Sequence, residues 1–80
     1  MSQPEKTFRI GYCSASVFVN TSDKDGEKRS FRSVALQRSY RDGDEWKTST
    51  SFGLAELPAA IAVLQMAMNH VAAEEAETTA

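Results

Sequence analysis

The period of the apolar residues changes once along this chain, at Gly53, and that change restricts what it can fold into. Before Gly53 polar and apolar residues alternate, as they do along half-buried strands. After it, Leu57, Ile61, Leu64, Met68 and Val71 recur at steps of four, three, four and three, which is one stripe along a helix. The order predicts an α+β domain: an antiparallel β-meander of three to four strands followed by one C-terminal helix. Eighty residues leave room for one such core. The expected division is a flexible N-terminus over 1–7, the domain over 8–73 and a flexible acidic tail over 74–80.

The strands are read from composition and turn chemistry. Phe8 to Asn20 is rich in β-branched and aromatic residues and forms one expected strand, with Gly11 as a bend or bulge. Asp25-Gly26 is a turn signal. Arg29 to Tyr40 is the expected central strand, with Arg32, Val34, Leu36, Arg38 and Tyr40 on one face and Phe31, Ser33, Ala35, Gln37 and Ser39 on the other. A second Asp-Gly pair, Asp42-Gly43, leads to a strand over Trp46 to Phe52. Pro58 suits the first turn of the helix, where its missing N–H costs no bond. Val17, Val19, Val34, Leu36 and Phe52 are expected beneath the helical stripe. The other face would then show Ser14, Ser16, Phe18, Phe31, Ser33, Gln37, Ser39, Lys47, Ser49 and Ser51, and a sheet with one covered face invites a partner subunit.

Charge is unevenly spread. The formal net charge is −2, yet all nine Lys and Arg lie between Lys6 and Lys47. Against seven carboxylates before Gly53 they give +2, and Glu56, Glu74, Glu75 and Glu77 give the remainder −4. The single cysteine, Cys13, allows no internal disulfide and points to a reducing, cytoplasmic setting. The N-terminus resembles no export signal. The longest apolar stretch, Leu57 to Met68, carries Pro58 and Gln65 and is shorter than the roughly 20 residues a membrane span needs.

Chemistry-bearing constellations are sparse. Cys13 and His70 fall in different elements, with no group to orient them as nucleophile and base. Asp23, Asp25 and Glu27, then Asp42, Asp44 and Glu45, lack the spacing of a calcium loop and fit hairpin turns instead. The four glycines are isolated, so no phosphate loop is present. No enzyme, cofactor, metal or small-molecule substrate is expected.

What stands out is the interleaving of cations with aromatics: Phe31-Arg32, Arg38-Ser39-Tyr40-Arg41 and Trp46-Lys47. Aromatic faces stack unpaired bases while Arg and Lys neutralise phosphates. The expected nucleic-acid contacts are Arg32, Arg38, Arg41 and Lys47 to phosphates and Phe31, Tyr40 and Trp46 to bases. The same residues also serve to solubilise a sheet and guard its edges. A protein-interaction module with no nucleic-acid role is therefore the competing expectation.

Phe8-Arg9-Ile10-Gly11, the run from Ser33 to Lys47 (SVALQRSYRDGDEWK), Ser51-Phe52-Gly53 and Leu57-Pro58 together resemble a group of small uncharacterised bacterial proteins, over residues 8 to about 71. The architecture of a meander closed by one helix resembles the Whirly and positive-cofactor-type single-stranded DNA-binding domains, which dimerise through the helix and bind unpaired strands on curved sheets. That resemblance implies a homodimer that binds single-stranded DNA or RNA with low sequence specificity. The present chain differs in its weaker basic charge and serine-rich open face.

Overall fold

The computed structural model describes residues 3–76. Four strands, β1 (Lys6–Ile10), β2 (Cys13–Lys24), β3 (Glu27–Asp42) and β4 (Glu45–Ser49), form one antiparallel sheet in chain order, and one helix, α1 (Leu57–Ala76), follows. The α+β meander-then-helix arrangement is thus the one the change of period predicts. Lys6 and Thr7 lie in β1 and Glu74 in α1, so these elements reach beyond the expected 8–73. Met1, Ser2 and residues 77–80 of the expected flexible ends lie outside the described residues.

The expected first strand, Phe8 to Asn20, is two strands. Ile10 pairs with Cys13, so Gly11 and Tyr12 are the centre of a hairpin turn and Gly11 is not a bulge. Its φ of +60° is a conformation glycine adopts without a Cβ clash. Asp25-Gly26 forms the next turn, with positive φ at both residues, as the turn that matches strand twist requires.

The helix meets the sheet through small side chains. Cys13, Ala15 and Val17 of β2 and Ala60, Val63 and Ala67 of α1 form the buried core, with Phe8, Ile10, Leu36, Phe52 and Val71 packed around it. Small residues on both sides let the helix lie close to the strands. The expected apolar stripe is therefore mostly on the wrong side: Ile61 is 63% exposed and Met68 55%, with Leu57 and Leu64 also outside. Only Val71 of that set packs against the core. Val17, Leu36 and Phe52 sit at or around the core as expected, but Val19 and Val34 are exposed.

That exposure follows from where α1 lies. The imidazole of His70 packs edge-on against Phe8 of β1, with ring centroids 6.0 Å apart, and Glu74 reaches toward Arg32 of β3. The core itself comes from β2 and α1. Beyond the β1 pairing, which ends at Val17, β2 and β3 continue as a two-stranded ribbon to the Asp25-Gly26 turn. Val19 and Val34 point from that ribbon and its base to the helix side of the sheet, without the helix above them.

Candidate nucleic-acid interface

Strand alternation sorts the charges by face. The unbroken register from β1 through β4 puts Phe8, Ala15, Leu36 and Arg38 on the helix side with Lys47 and Ser49, and Arg9, Ser14, Gln37, Arg41 and Trp46 on the open side. Lys47 and Ser49 were expected on the open face; they belong to the helix side, because β4 stops at Ser49 and the path to Phe52 no longer alternates. Ser51, placed on the same open face, also falls beyond the end of β4, so the alternation assigns it no face. Among strand residues with described side chains, the open face carries Arg9, Arg29 and Arg41 against one carboxylate, Glu27, at the ribbon tip.

Three of the helix-side cations, Arg32, Arg38 and Lys47, are occupied. Arg32 Nε donates to both oxygens of Glu5 at 3.0 Å and stands 3.9 Å from Glu74. This hydrogen bond, with the guanidinium charge and His70 behind it, holds the Glu5 carboxyl below its usual range against the desolvation that opposes it, and raises Arg32 in turn. His70 Nε2 is buried 3.5 Å from Glu5 Oε1, without a hydrogen bond. Lys47 Nζ is 3.1 Å from Asp42. Arg38 Nε donates to the Ser51 carbonyl at 2.6 Å, with Glu56 3.9 Å away.

At the end of the sheet away from the ribbon, the β1–β2 turn builds an aromatic cluster. The Tyr12 carbonyl accepts a hydrogen bond from Ser39 N at 2.8 Å, which fixes the turn against β3. The Tyr12 ring then lies 5.6 Å from Trp46 at an interplanar angle of 33°. Arg41 stands 5.9 Å from the Trp46 centroid, its Nε held by the Gly43 carbonyl at 3.1 Å, and Arg38 stands 5.4 Å from Tyr40. Cations within about 6 Å of a ring centroid are attracted by the ring quadrupole, for about 0.5–1 kcal/mol at exposed sites such as these. Tyr12 is 66% exposed and Trp46 56%, so both present open ring surface.

A cleft of about 430 Å³ opens between Tyr12, Arg38, Tyr40, Arg41 and Trp46, with Glu56 at its rim. A second hollow of about 340 Å³ adjoins Tyr12 and Trp46 on the side of Arg9 and Ser39. Of the seven residues expected to bind nucleic acid, Arg38, Tyr40, Arg41 and Trp46 come together here. Phe31 lies on the open face but out on the ribbon, Arg32 is in the Glu5 ion pair, and Lys47 is beside Asp42. Tyr12, Arg9 and Arg29 were not among those expected. Reading Ile10-Gly11-Tyr12-Cys13 as a hairpin would have exposed Tyr12 as a turn residue and put Arg9 on the open face.

Among the described residues no helix is long and apolar enough to cross a membrane, and no group of His, Cys, Asp or Glu is placed to hold a metal ion. Comparison with protein-family models, curated proteins and solved structures finds no match.

Proposed function

We propose that this chain is a single-stranded nucleic-acid-binding protein of low sequence specificity that acts as a homodimer. The observation that carries the binding reading is the placing of arginines and exposed aromatic rings together on one face of the sheet. A chain of net charge −2 presents an open face where Arg9, Arg29 and Arg41 stand among hydroxyl and amide side chains, with Trp46 and Phe31 exposed on the same face and Tyr12 at its end. Unpaired bases stack on such rings for about 1–3 kcal/mol each, whatever their identity, and arginines take the phosphates. Of the expected contacts, Arg41, Trp46 and Phe31 fit that face. Arg38 and Tyr40 reach the strand only through the cleft at the sheet end, and Arg32 and Lys47 act mainly in internal ion pairs.

The homodimer rests on α1. Leu57, Ile61, Leu64 and Met68 line its outward side, and no Asp, Glu, Lys or Arg occurs from Leu57 to Ala73, so two such helices can meet without like-charge repulsion. These side chains are 40–63% exposed, so covering each one contributes roughly half of the about 1.5–3 kcal/mol that burying a fully exposed one does. The same stripe supports the competing reading, a module whose helix receives a different protein and has no nucleic-acid role. The buried lone thiol, Cys13, suits a reducing cytoplasmic setting.

The test is an anisotropy titration of labelled single-stranded and duplex oligonucleotides at two salt concentrations. A salt-sensitive preference for single strands is expected. Absence of binding at low salt, with a helix stripe that still captures a partner, would leave the interaction module as the reading.

A further inference from the structure

The open face carries a second aromatic position far from the Tyr12–Trp46 cluster. Phe31 lies ten positions before Arg41 on β3, on the same face, which at about 3.3 Å per residue places it about 33 Å from the row that holds Trp46. It is 51% exposed. Phe18, opposite Ser33, is its diagonal neighbour across the ribbon, and Arg29 follows two positions away on the same face. Arg29 meets Glu27 only at 3.7 Å, with both side chains largely in solvent, so its charge is little committed.

No core explains this placement. The ribbon is two strands wide here and the buried cluster lies on the other face, at Cys13, Ala15 and Val17. A half-exposed phenylalanine beside an uncommitted arginine repeats, at the far end of the sheet, the pairing of Trp46 with Arg41. Between the two ends the face is Ser14, Ser16, Ser33, Ala35 and Gln37, all uncharged; Ser14 is buried, and Ser16, Ser33 and Gln37 carry the groups able to bond bases or sugars.

We propose that the open face is one track for a single strand with two stacking stations, Tyr12–Trp46 at one end and Phe31 with Phe18 on the ribbon. This rests on the nucleic-acid reading above and adds a length requirement to it. A strand too short to reach Phe31 uses one station only. A stacked strand advances about 3.4 Å per nucleotide, so about ten nucleotides span the two stations, and fewer suffice when the strand is extended. That lies within the site sizes of about 4–16 nucleotides known for sheet-based single-strand binders.

The experiment compares a fluorescent thymidine tetramer with a sixteen-mer at low salt, on the unaltered protein and on Phe31→Ala, Phe31→Leu and Trp46→Ala. The expected result is that the sixteen-mer binds at least about tenfold tighter than the tetramer, that both Phe31 variants bring this ratio close to one, and that Trp46→Ala weakens the binding of both oligonucleotides. Loss of the gain in Phe31→Leu, which keeps an apolar side chain, identifies the ring face as the contact. Sixteen-mer affinity unchanged in both Phe31 variants but weakened in Trp46→Ala would overturn the second station and leave the nucleic-acid reading intact. A length gain that survives in the Phe31 variants would likewise overturn it, assigning the gain to two clusters of a dimer. Failure of the unaltered protein to bind either oligonucleotide would overturn both.

Discussion

The ring of Tyr12 lies 5.6 Å from that of Trp46, and the contact joins the β1–β2 turn to β4 across the end of β3. Both rings are more than half exposed, so the pair forms a surface platform and no part of the core. Trp46→Ala is expected to weaken single-strand binding by about 1–3 kcal/mol, while thermal stability changes little. Trp46 is also the only tryptophan in the chain, so stacking of a base should quench the intrinsic fluorescence directly. Saturating oligonucleotide that leaves the emission untouched would place the strand elsewhere.

Arg41 and Arg32 make opposite predictions although both stand on β3. Arg41 faces the open side over Trp46, and Arg32 faces the helix side with Glu5. Replacing Arg41 by Ala should lower the slope of log affinity against log salt by about 0.7, the value of one single-strand phosphate contact. Replacing Arg32 should leave that slope unchanged and lower the melting temperature, because Glu5 then loses its partner. Equal slopes for Arg41→Ala and the unaltered protein would remove Arg41 from the phosphate path.

How much of this was legible in the sequence depends on which residues carried an unambiguous local demand. Asp25-Gly26 did, because the type I′ hairpin turn needs positive φ at both places and this pair tolerates it. Gly11 did not, because a glycine within a β-rich run reads equally as a bulge, and the hairpin that exposes Tyr12 was hidden with it. The helix was legible from its period, but its orientation was not. Ala60, Val63 and Ala67 share the helical spacing of Leu57, Ile61, Leu64 and Met68, and only the narrow space over Ala15 and Cys13 selects the smaller set. Lys47 was misplaced because its face was counted back from Phe52, which reaches the core from beyond the end of β4.

Acid sensitivity should trace to Glu5. Its carboxyl is held below the ordinary 4.5, chiefly by the Arg32 hydrogen bond. A carboxylate depressed in the folded state contributes stability that is present above its unfolded value and is lost as pH falls through the folded one. The melting temperature of the unaltered protein should therefore fall below pH about 4.5, and Glu5→Gln should flatten that part of the profile. Since Arg32 stays charged throughout, the Gln variant should be less stable at neutral pH and approach the unaltered protein in acid. Parallel profiles for the two proteins down to acid pH would remove Glu5 from this role.

The two sides of α1 should respond oppositely to the same kind of change. Ala67 is fully buried against the sheet, so Ala67→Leu has no space to enter and should cost about 1–3 kcal/mol in thermal or denaturant unfolding. Leu64 stands outside, next to Ile61 and Met68, where an aspartate meets solvent in the isolated chain. In a homodimer built on this stripe, Leu64→Asp places two like charges at the contact and leaves them without partners. Sedimentation velocity should then show the unaltered protein at twice the chain mass and Leu64→Asp at the chain mass, with the helical circular dichroism retained. An unaltered protein that sediments as a monomer at high concentration would exclude the stripe as a self-association surface, and its exposed leucine, isoleucine and methionine side chains would then mark the docking site of a different protein.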